Sequence, residues 1–240
     1  MIRALLLTAC CLWPALVSAD AVAIIQQGGV DEQTGIYTPT ITAAGAGHTI
    51  VIAAYRRGGG DSTWVASDPT NGAYDLNYEH VGYGAGSGRE LVLLSKRGVA
   101  GGFTSITLDP SDETTVFEVR YWELSNVDSA GAVAEDDTGG QTANGTSQIC
   151  GQTGLTGTGF FLGFAIFSTF ATNTTAGSGY TIDGDATTTP GIIQRQIATL
   201  TANQAPYTMA DSNQTFGAMF LFAEANPTEE PRRWLRRRSE

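Results

Sequence analysis

Residues 48–57 read HTIVIAAYRR, and this stretch decides the fold class because apolar side chains occupy both of its alternating faces. Successive side chains of a β-strand point to opposite faces of the sheet. One face holds Ile50, Ile52 and Ala54, and the other holds Val51, Ala53 and Tyr55. A strand that is apolar on both faces is covered on both sides, so we expect this one near the centre of a sheet.

Shorter segments with the same two-residue period recur along the chain, for example at residues 74–81, 116–124 and 216–223. Clusters rich in Gly, Pro, Asn and Asp separate them, and no segment of helix length keeps a 3.6-residue apolar period. The pattern predicts an all-β protein with little helix. A chain of 240 residues suits a single antiparallel β-sandwich, jelly-roll or concanavalin-like, with about ten strands.

Turn-forming residues divide the predicted strands. They assign residues 28–29 to an early turn, residues 68–72 (DPTNG) to a hairpin, and the polar residues 128–146 to an exposed loop suited to binding. On the strand after the hairpin, alternation places Leu76 and Tyr78 on the same inward face.

The N-terminus is typical of an export signal. Arg3 precedes an apolar stretch, and small residues favour cleavage after Ala19, with Ala21 as a second candidate. Cys10 as a lipidated cysteine is a rival interpretation. We therefore expect a signal peptide over residues 1–19 and a protein that is secreted, periplasmic or on the cell surface. No later stretch is apolar for the roughly 20 residues of a transmembrane helix, so we expect no membrane span.

Charge is unevenly distributed along the chain. The formal net charge is −11, but residues 20–226, the predicted sandwich domain, carry 7 basic and 21 acidic side chains. This acidic body repels phosphates, which argues against nucleic-acid binding by the folded domain. Residues 227–240 form a basic tail with five Arg, predicted to be disordered when free and suited to an anionic surface.

Cysteine use also constrains the mature chain. Cleavage of the leader would remove Cys10 and Cys11, leaving Cys150 with no partner for an intramolecular disulfide. We expect Cys150 to pack in a strand as a small apolar group.

The order of several segments resembles a widespread but poorly characterised family of secreted bacterial and phage-encoded β-sandwich domains. The segments are TIVIAAYRR, WVASDPTNGAYDL, ELVLLSKRGVAGGFTSITLDPSDE, VRYWELSNVDSAGAV, AGSGYT and AMFLFAEA, and they span most of residues 45–225. The resemblance implies a jelly-roll or immunoglobulin-like sandwich displayed outside the cell or on a virion, often beside adhesion or carbohydrate-active modules. It transfers no catalytic residue.

Glu118 and Glu123 offer the sharpest enzymatic hypothesis, because their spacing resembles the E-x-D-x-x-E motif of jelly-roll β-glucanases. Arg120 replaces the middle carboxylate, and a fixed cation there would lower the pKa that a general acid needs raised. On a regular strand the two glutamates also face opposite ways. The sequence therefore favours a surface pair of Glu118 with Arg120, with Glu123 closing a strand end, and predicts no catalytic residue.

Metal and nucleophile signals are sparse. Neither His48 nor His80 has a second His or a Cys within four positions, which argues against zinc and against a catalytic triad. No cofactor is predicted, although acidic turns leave a structural calcium ion as an alternative, with Asp183 and Asp185 as weak candidate ligands.

Aromatic residues next to predicted loops are the candidate ligand-binding residues, because exposed rings can stack on sugars. They are Trp64, Tyr78, Tyr83, Trp122 and Tyr180. The leading interpretation is an exported, non-catalytic β-sandwich module for surface binding or adhesion, with a polysaccharide or cell-surface glycan as partner. The alternative is a structural virion protein, a phage decoration or tail-associated domain with self-association or virion partners. A jelly-roll glycoside hydrolase ranks third.

Overall fold

Every regular element in the described part of the chain is a β-strand. The structure is a computed structural model that describes residues 21–57, 62–81, 88–111, 116–138, 142–184 and 188–225. Those ranges contain sixteen strands in four antiparallel sheets, numbered here along the chain. The prediction of an all-β fold is confirmed, whereas the expected number of strands, about ten, is too low.

Two five-stranded sheets form the middle of the molecule. Central sheet 1 contains, in spatial order, β1 (Ala23–Gln33), β8 (Phe117–Ser125), β2 (Thr49–Arg57), β6 (Arg89–Lys96) and β5 (Asp75–Val81). Central sheet 2 contains β13 (Thr181–Ile182), β14 (Thr188–Asn203), β11 (Leu155–Thr172), β16 (Thr215–Ala223) and β9 (Ala134–Asp137).

Two three-stranded sheets cover the outer faces of this pair. Outer sheet 1 contains β4 (Gly72–Ala73), β3 (Trp64–Asp68) and β7 (Thr107–Pro110). Outer sheet 2 contains β10 (Gly145–Ile149), β15 (Pro206–Asn213) and β12 (Thr175–Ala176). The sandwich therefore has four layers rather than the two that the sequence suggests.

Three apolar cores lie between these layers. The middle core joins the central sheets, for example through Trp122, Phe160 and Phe220. A second core joins central sheet 1 to outer sheet 1, and a third joins central sheet 2 to outer sheet 2. Each central sheet is thus covered on both faces, which explains why an inner strand such as β2 is apolar on both of its faces.

The central position predicted for residues 48–57 is confirmed. β2 is the third of five strands, and its two faces contribute to two different cores. The predicted hairpin is also present, since β3 pairs with β4. The Asp68 carboxylate accepts hydrogen bonds from the backbone amides of Thr70 and Asn71, and Gly72 has a φ of 69°. This is the geometry that an Asp-Pro-Thr-Asn-Gly turn favours.

Three local predictions are wrong. Residues 28–29 do not turn but lie inside β1, where the glycines admit close approach of β8. The exposed loop predicted over residues 128–146 contains β9 and the start of β10. A register irregularity between Leu76 and Tyr78 breaks the alternation of β5, so Leu76 is 47% exposed while Tyr78 is buried.

Residues Ala21–Ala225 form one compact unit. The predicted signal peptide, Cys10 and the basic tail lie outside the described residues. No helix in the described ranges is long and apolar enough to cross a membrane.

Candidate functional site

A cleft opens at the edge of the central sandwich where β1 and β13 lie. We call it the edge cleft, and its volume is about 280 Å³. Its lining residues are Gln27, Gly28, Gly29, Arg120, Trp122, Ile182, Asp183 and Gly184. Both central sheets contribute to it, because β1 and β8 belong to one and β13 to the other.

Small neighbours make room for Arg120 inside the sheet. Its cross-strand partners are Ala53 on β2 and Gly29 on β1. A Cβ atom added at Gly29 would lie 2.6 Å from Cδ of Arg120, and one added at Gly184 would lie 2.9 Å from its Nη2. Any side chain at either glycine would therefore displace the arginine, so both glycines are needed for the cleft to have this shape.

The Arg120 guanidinium is bonded on all three of its nitrogens. Its Nε donates to the carbonyl of Asp183 (2.9 Å), and its Nη1 donates to the carbonyl of Val119 (2.8 Å). Its Nη2 contacts the carboxylate of Asp31 and lies 3.1 Å from Oε1 of Glu118. The side chain is fixed before any ligand arrives, which lowers the entropic cost of binding.

The pairing of Glu118 with Arg120 is present, but it is buried rather than on the surface. Glu118 is 2% exposed and Arg120 is 8% exposed. The hydroxyl of Tyr55 donates to Oε2 of Glu118, so the carboxylate is bonded on both oxygens. Burial is tolerated because the charge is paired and hydrogen-bonded.

Glu123 faces the opposite side of β8, as the spacing predicts. Its Oε1 accepts a hydrogen bond from the backbone amide of Gly45 (2.7 Å) and lies 2.5 Å from Nδ1 of His48. Burial alone would raise the pKa of Glu123, but hydrogen bonds from Gln26, Gly45 and His48 outweigh it and the pKa falls below its usual value. Glu118 and Glu123 therefore do not share a site.

Asp183, on the wall of the cleft that central sheet 2 provides, connects Arg120 to Arg195. Its Oδ2 lies 2.5 Å from Nε of Arg195, and the side chain of Trp122 also hydrogen-bonds to it. Burial raises the pKa of Asp183 above its ordinary value, although Arg195 and Trp122 oppose this rise. A carboxylate with a shifted pKa in a cleft is a common mark of a functional site.

The aromatic residues predicted to bind ligand are not exposed where the structure describes them. The exposed fractions are 3% for Trp64, 8% for Tyr78, 1% for Trp122 and 8% for Tyr180, and Tyr83 lies outside the described residues. The four rings belong to three different cores, so they form no common platform. Of these four, the structure brings Trp122 alone to the edge cleft.

Trp64 lies on β3 of outer sheet 1 and is buried because that sheet packs against central sheet 1. The indole packs edge-on against Phe117, with ring centroids 5.4 Å apart, and its Nε1 donates to Oε2 of Glu90 (2.9 Å). Glu90 is itself buried and paired with Arg56. The position of Trp64 next to a predicted loop did not indicate that a second sheet buries it.

Metal ligation has little support in the described ranges. They contain no group of three or more His, Cys, Asp or Glu side chains placed to hold a metal ion. Of the calcium candidates, Asp183 is paired with Arg195, a cation that competes with calcium, and Asp185 lies outside the described residues.

Cys150 is fully buried between central sheet 2 and outer sheet 2, as a small apolar group would be, but it follows the end of β10 rather than lying in a strand as predicted. Burial raises the pKa of its thiol to about 12, which keeps it protonated and unreactive near neutral pH.

A larger groove of about 440 Å³ lies over outer sheet 2. Its lining includes Ser147, Gln148, Pro206 and Thr208, and no charged side chain. The edge cleft is the stronger candidate for a ligand site, because fixed charged groups converge there and the pKa of one carboxylate, Asp183, is shifted.

The sequence analysis missed Gln27, which lines the cleft, and Asp31 and Arg195, which pair with Arg120 and Asp183. One signal was available, because Glu118 and Arg120 share a face of β8 with the apolar residues Trp122 and Leu124. Charged groups on the inward face of a buried strand indicate a paired site rather than solvent exposure.

No family model, curated protein or solved structure matches this chain. The resemblance of its segment order to secreted β-sandwich domains stays a prediction.

Proposed function

We propose that the mature chain is an exported, non-catalytic β-sandwich module for surface binding or adhesion, and that it holds a glycan at the edge cleft. The observation that carries the proposal is the preformed cleft between two sheet edges. A concave site with a few fixed polar groups is the usual form of a small-ligand site. At about 280 Å³ the cleft lies near the lower end of the usual range, so it suits a single sugar unit of a longer glycan.

The polar lining supports a polyhydroxylated ligand. Gln27 is exposed at the rim and offers both donors and an acceptor, while Arg120 and Asp183 are held in place behind it. The glycine backbone of β1 gives a ligand close access to this wall. Sugar hydroxyls both donate and accept hydrogen bonds, and such a mixed wall satisfies them.

The state of the carboxylates favours binding over glycoside hydrolysis. A glycosidase needs two carboxyl groups flanking the scissile bond. Among the described residues that line the cleft, Asp183 is the one carboxylate, and it is paired with Arg195. Glu118 is held behind Arg120 by two bonds.

The test is glycan-array screening of the full mature chain, followed by calorimetry with the best neutral oligosaccharide. Gln27→Ala removes rim hydrogen bonds and should weaken binding by about 5- to 10-fold, the equivalent of one or two hydrogen bonds. The matched control is Gln33→Ala, which changes a glutamine on the same strand outside the cleft. Equal loss in both variants, or binding unchanged in Gln27→Ala, would remove the cleft from the proposal.

A further inference from the structure

One arginine, Arg120, lines the cleft and a second, Arg195, pairs with its lining residue Asp183, yet the group carries no net positive charge. Within its network, the cations Arg120 and Arg195 contact three carboxylates, those of Glu118, Asp31 and Asp183. With all five groups ionised the sum is −1, and with Asp183 protonated it is zero. Neither protonation state leaves a positive charge for an anionic ligand.

Geometry also prevents Arg120 from acting as a clamp for an anion. The three nitrogens of Arg120 already contact protein acceptors, so its planar fork cannot clamp a carboxylate, sulfate or phosphate without breaking them. The Arg195 side chain is 18% exposed, and its Nε is directed at Asp183.

The rim is acidic. Asp31 lies on β1, its side chain is 56% exposed, and its carboxylate contacts Arg120 on β8. Residues 20–226 carry a formal excess of acidic side chains, so the field around the cleft is also negative. A ligand with its own negative charge would be repelled during approach and again at the rim.

We infer that the edge cleft selects glycans without acidic groups, and this inference rests on the function proposed above. Its ligand class is a neutral sugar, and uronic acids and sulfated or phosphorylated sugars are excluded by charge. Recognition depends on hydroxyl hydrogen bonds to the wall at Gln27 and the glycine backbone.

The experiment compares matched polymers that differ in charge alone. A panel of neutral glycans is presented with acidic counterparts, including polygalacturonate beside its methyl ester, at low and at high salt. The free acid should bind about tenfold or more weakly than the ester at low salt, and the gap should narrow at high salt because exposed charges are screened.

A rim variant connects the selectivity to this site. Asp31→Asn keeps a hydrogen-bonding side chain next to Arg120 and removes one exposed negative charge, so it should bring acid binding closer to neutral binding. Thermal unfolding of the variant checks that the fold is intact. Gln33→Ala should leave both affinities unchanged.

The outcomes separate the two proposals. Binding of acidic glycans as tight as, or tighter than, their neutral counterparts would overturn the inference and leave the binding function standing. The inference also fails, and the binding function again stands, if Asp31→Asn leaves a preference for neutral glycans unaltered. Binding of no glycan, acidic or neutral, at any salt concentration would overturn the proposed function and the inference together.

Discussion

Where β1 and β13 lie, the central sheets are joined by Arg120, Glu118 and Asp183, whereas at the opposite edge, beside β5 and β9, they are joined by aromatic rings. At this second edge Tyr78 packs edge-on against Phe220, with centroids 5.2 Å apart, and His80 stacks on Phe216 at 3.4 Å. We call the two sides the charged edge and the aromatic edge. The same pair of sheets is therefore closed by two different kinds of chemistry.

The kind of side chain that joins the sheets determines which edge can bind a ligand. At the aromatic edge the rings pack directly against one another across the two sheets, as side chains in a close-packed core do. A network of long charged side chains joined by directional bonds leaves room between its members, and the edge cleft is that room. The charged edge gives up apolar packing, and its stability depends on complete pairing instead.

The largest loss of stability is expected for a substitution that removes Arg120 from the charged edge. Arg120→Met leaves Glu118 buried without its cation, and we expect a loss of about 3–5 kcal/mol in the free energy of unfolding. Urea denaturation followed by fluorescence measures it. Lys96→Met is the control, at a half-buried lysine away from the charged edge whose Nζ donates to the carbonyl of Ala73, and it should cost about 1 kcal/mol.

A double variant distinguishes lost pairing from lost packing. Glu118→Gln combined with Arg120→Met removes both buried charges and keeps an acceptor for the hydroxyl of Tyr55. It should be more stable than Arg120→Met alone. If the double variant is the less stable protein, charge pairing is not what holds this edge together.

A smaller effect is expected at the aromatic edge. Phe220→Leu removes ring contacts with Tyr78 and Phe164, so the free energy of unfolding should fall by about 1–3 kcal/mol. The control is Ile197→Ala on β14, where the side chain is 41% exposed. The measurement is again urea denaturation, and a loss equal to that of Arg120→Met would erase the contrast between the edges.

The smallest effect concerns pH. Burial lowers the pKa of His80 below 6.5, although Asp137 opposes this. A lowered folded-state pKa means that the contribution of neutral His80 to stability is complete above about pH 6.5 and is lost as the pH falls through the folded-state value. His80→Gln should therefore flatten the difference in stability between pH 7 and pH 5. Parallel pH curves for the two proteins would contradict this assignment.

Much of the fold could be predicted from single segments. The two apolar faces of residues 48–57 placed β2 at the centre of a sheet, and the Asp-Pro-Thr-Asn-Gly sequence located a hairpin. Such features depend on side chains within a few positions of each other. The outer sheets were not predicted, because pairing of β3 with β7 or β10 with β15 depends on residues distant in sequence.

The site was harder to predict for the same reason. The aromatic residues were assigned to the surface from their distance to loops, but Trp64 packs against central sheet 1 and Trp122 packs against central sheet 2. The pairing of Glu118 with Arg120 was predicted, while its burial was not, because the partners Asp31 and Asp183 come from other strands. Alternation along a strand gives the face of a side chain but not what covers that face.

The pairing of β1 with β8 has a consequence for how the chain acquires its structure. Ala23 lies opposite Ser125, so the first strand meets its partner about one hundred residues later. At ordinary synthesis rates that interval lasts about 5–20 s, during which β1 is without its neighbour. The wall of the edge cleft that β1 and β8 build together therefore cannot form before β8 has been synthesised.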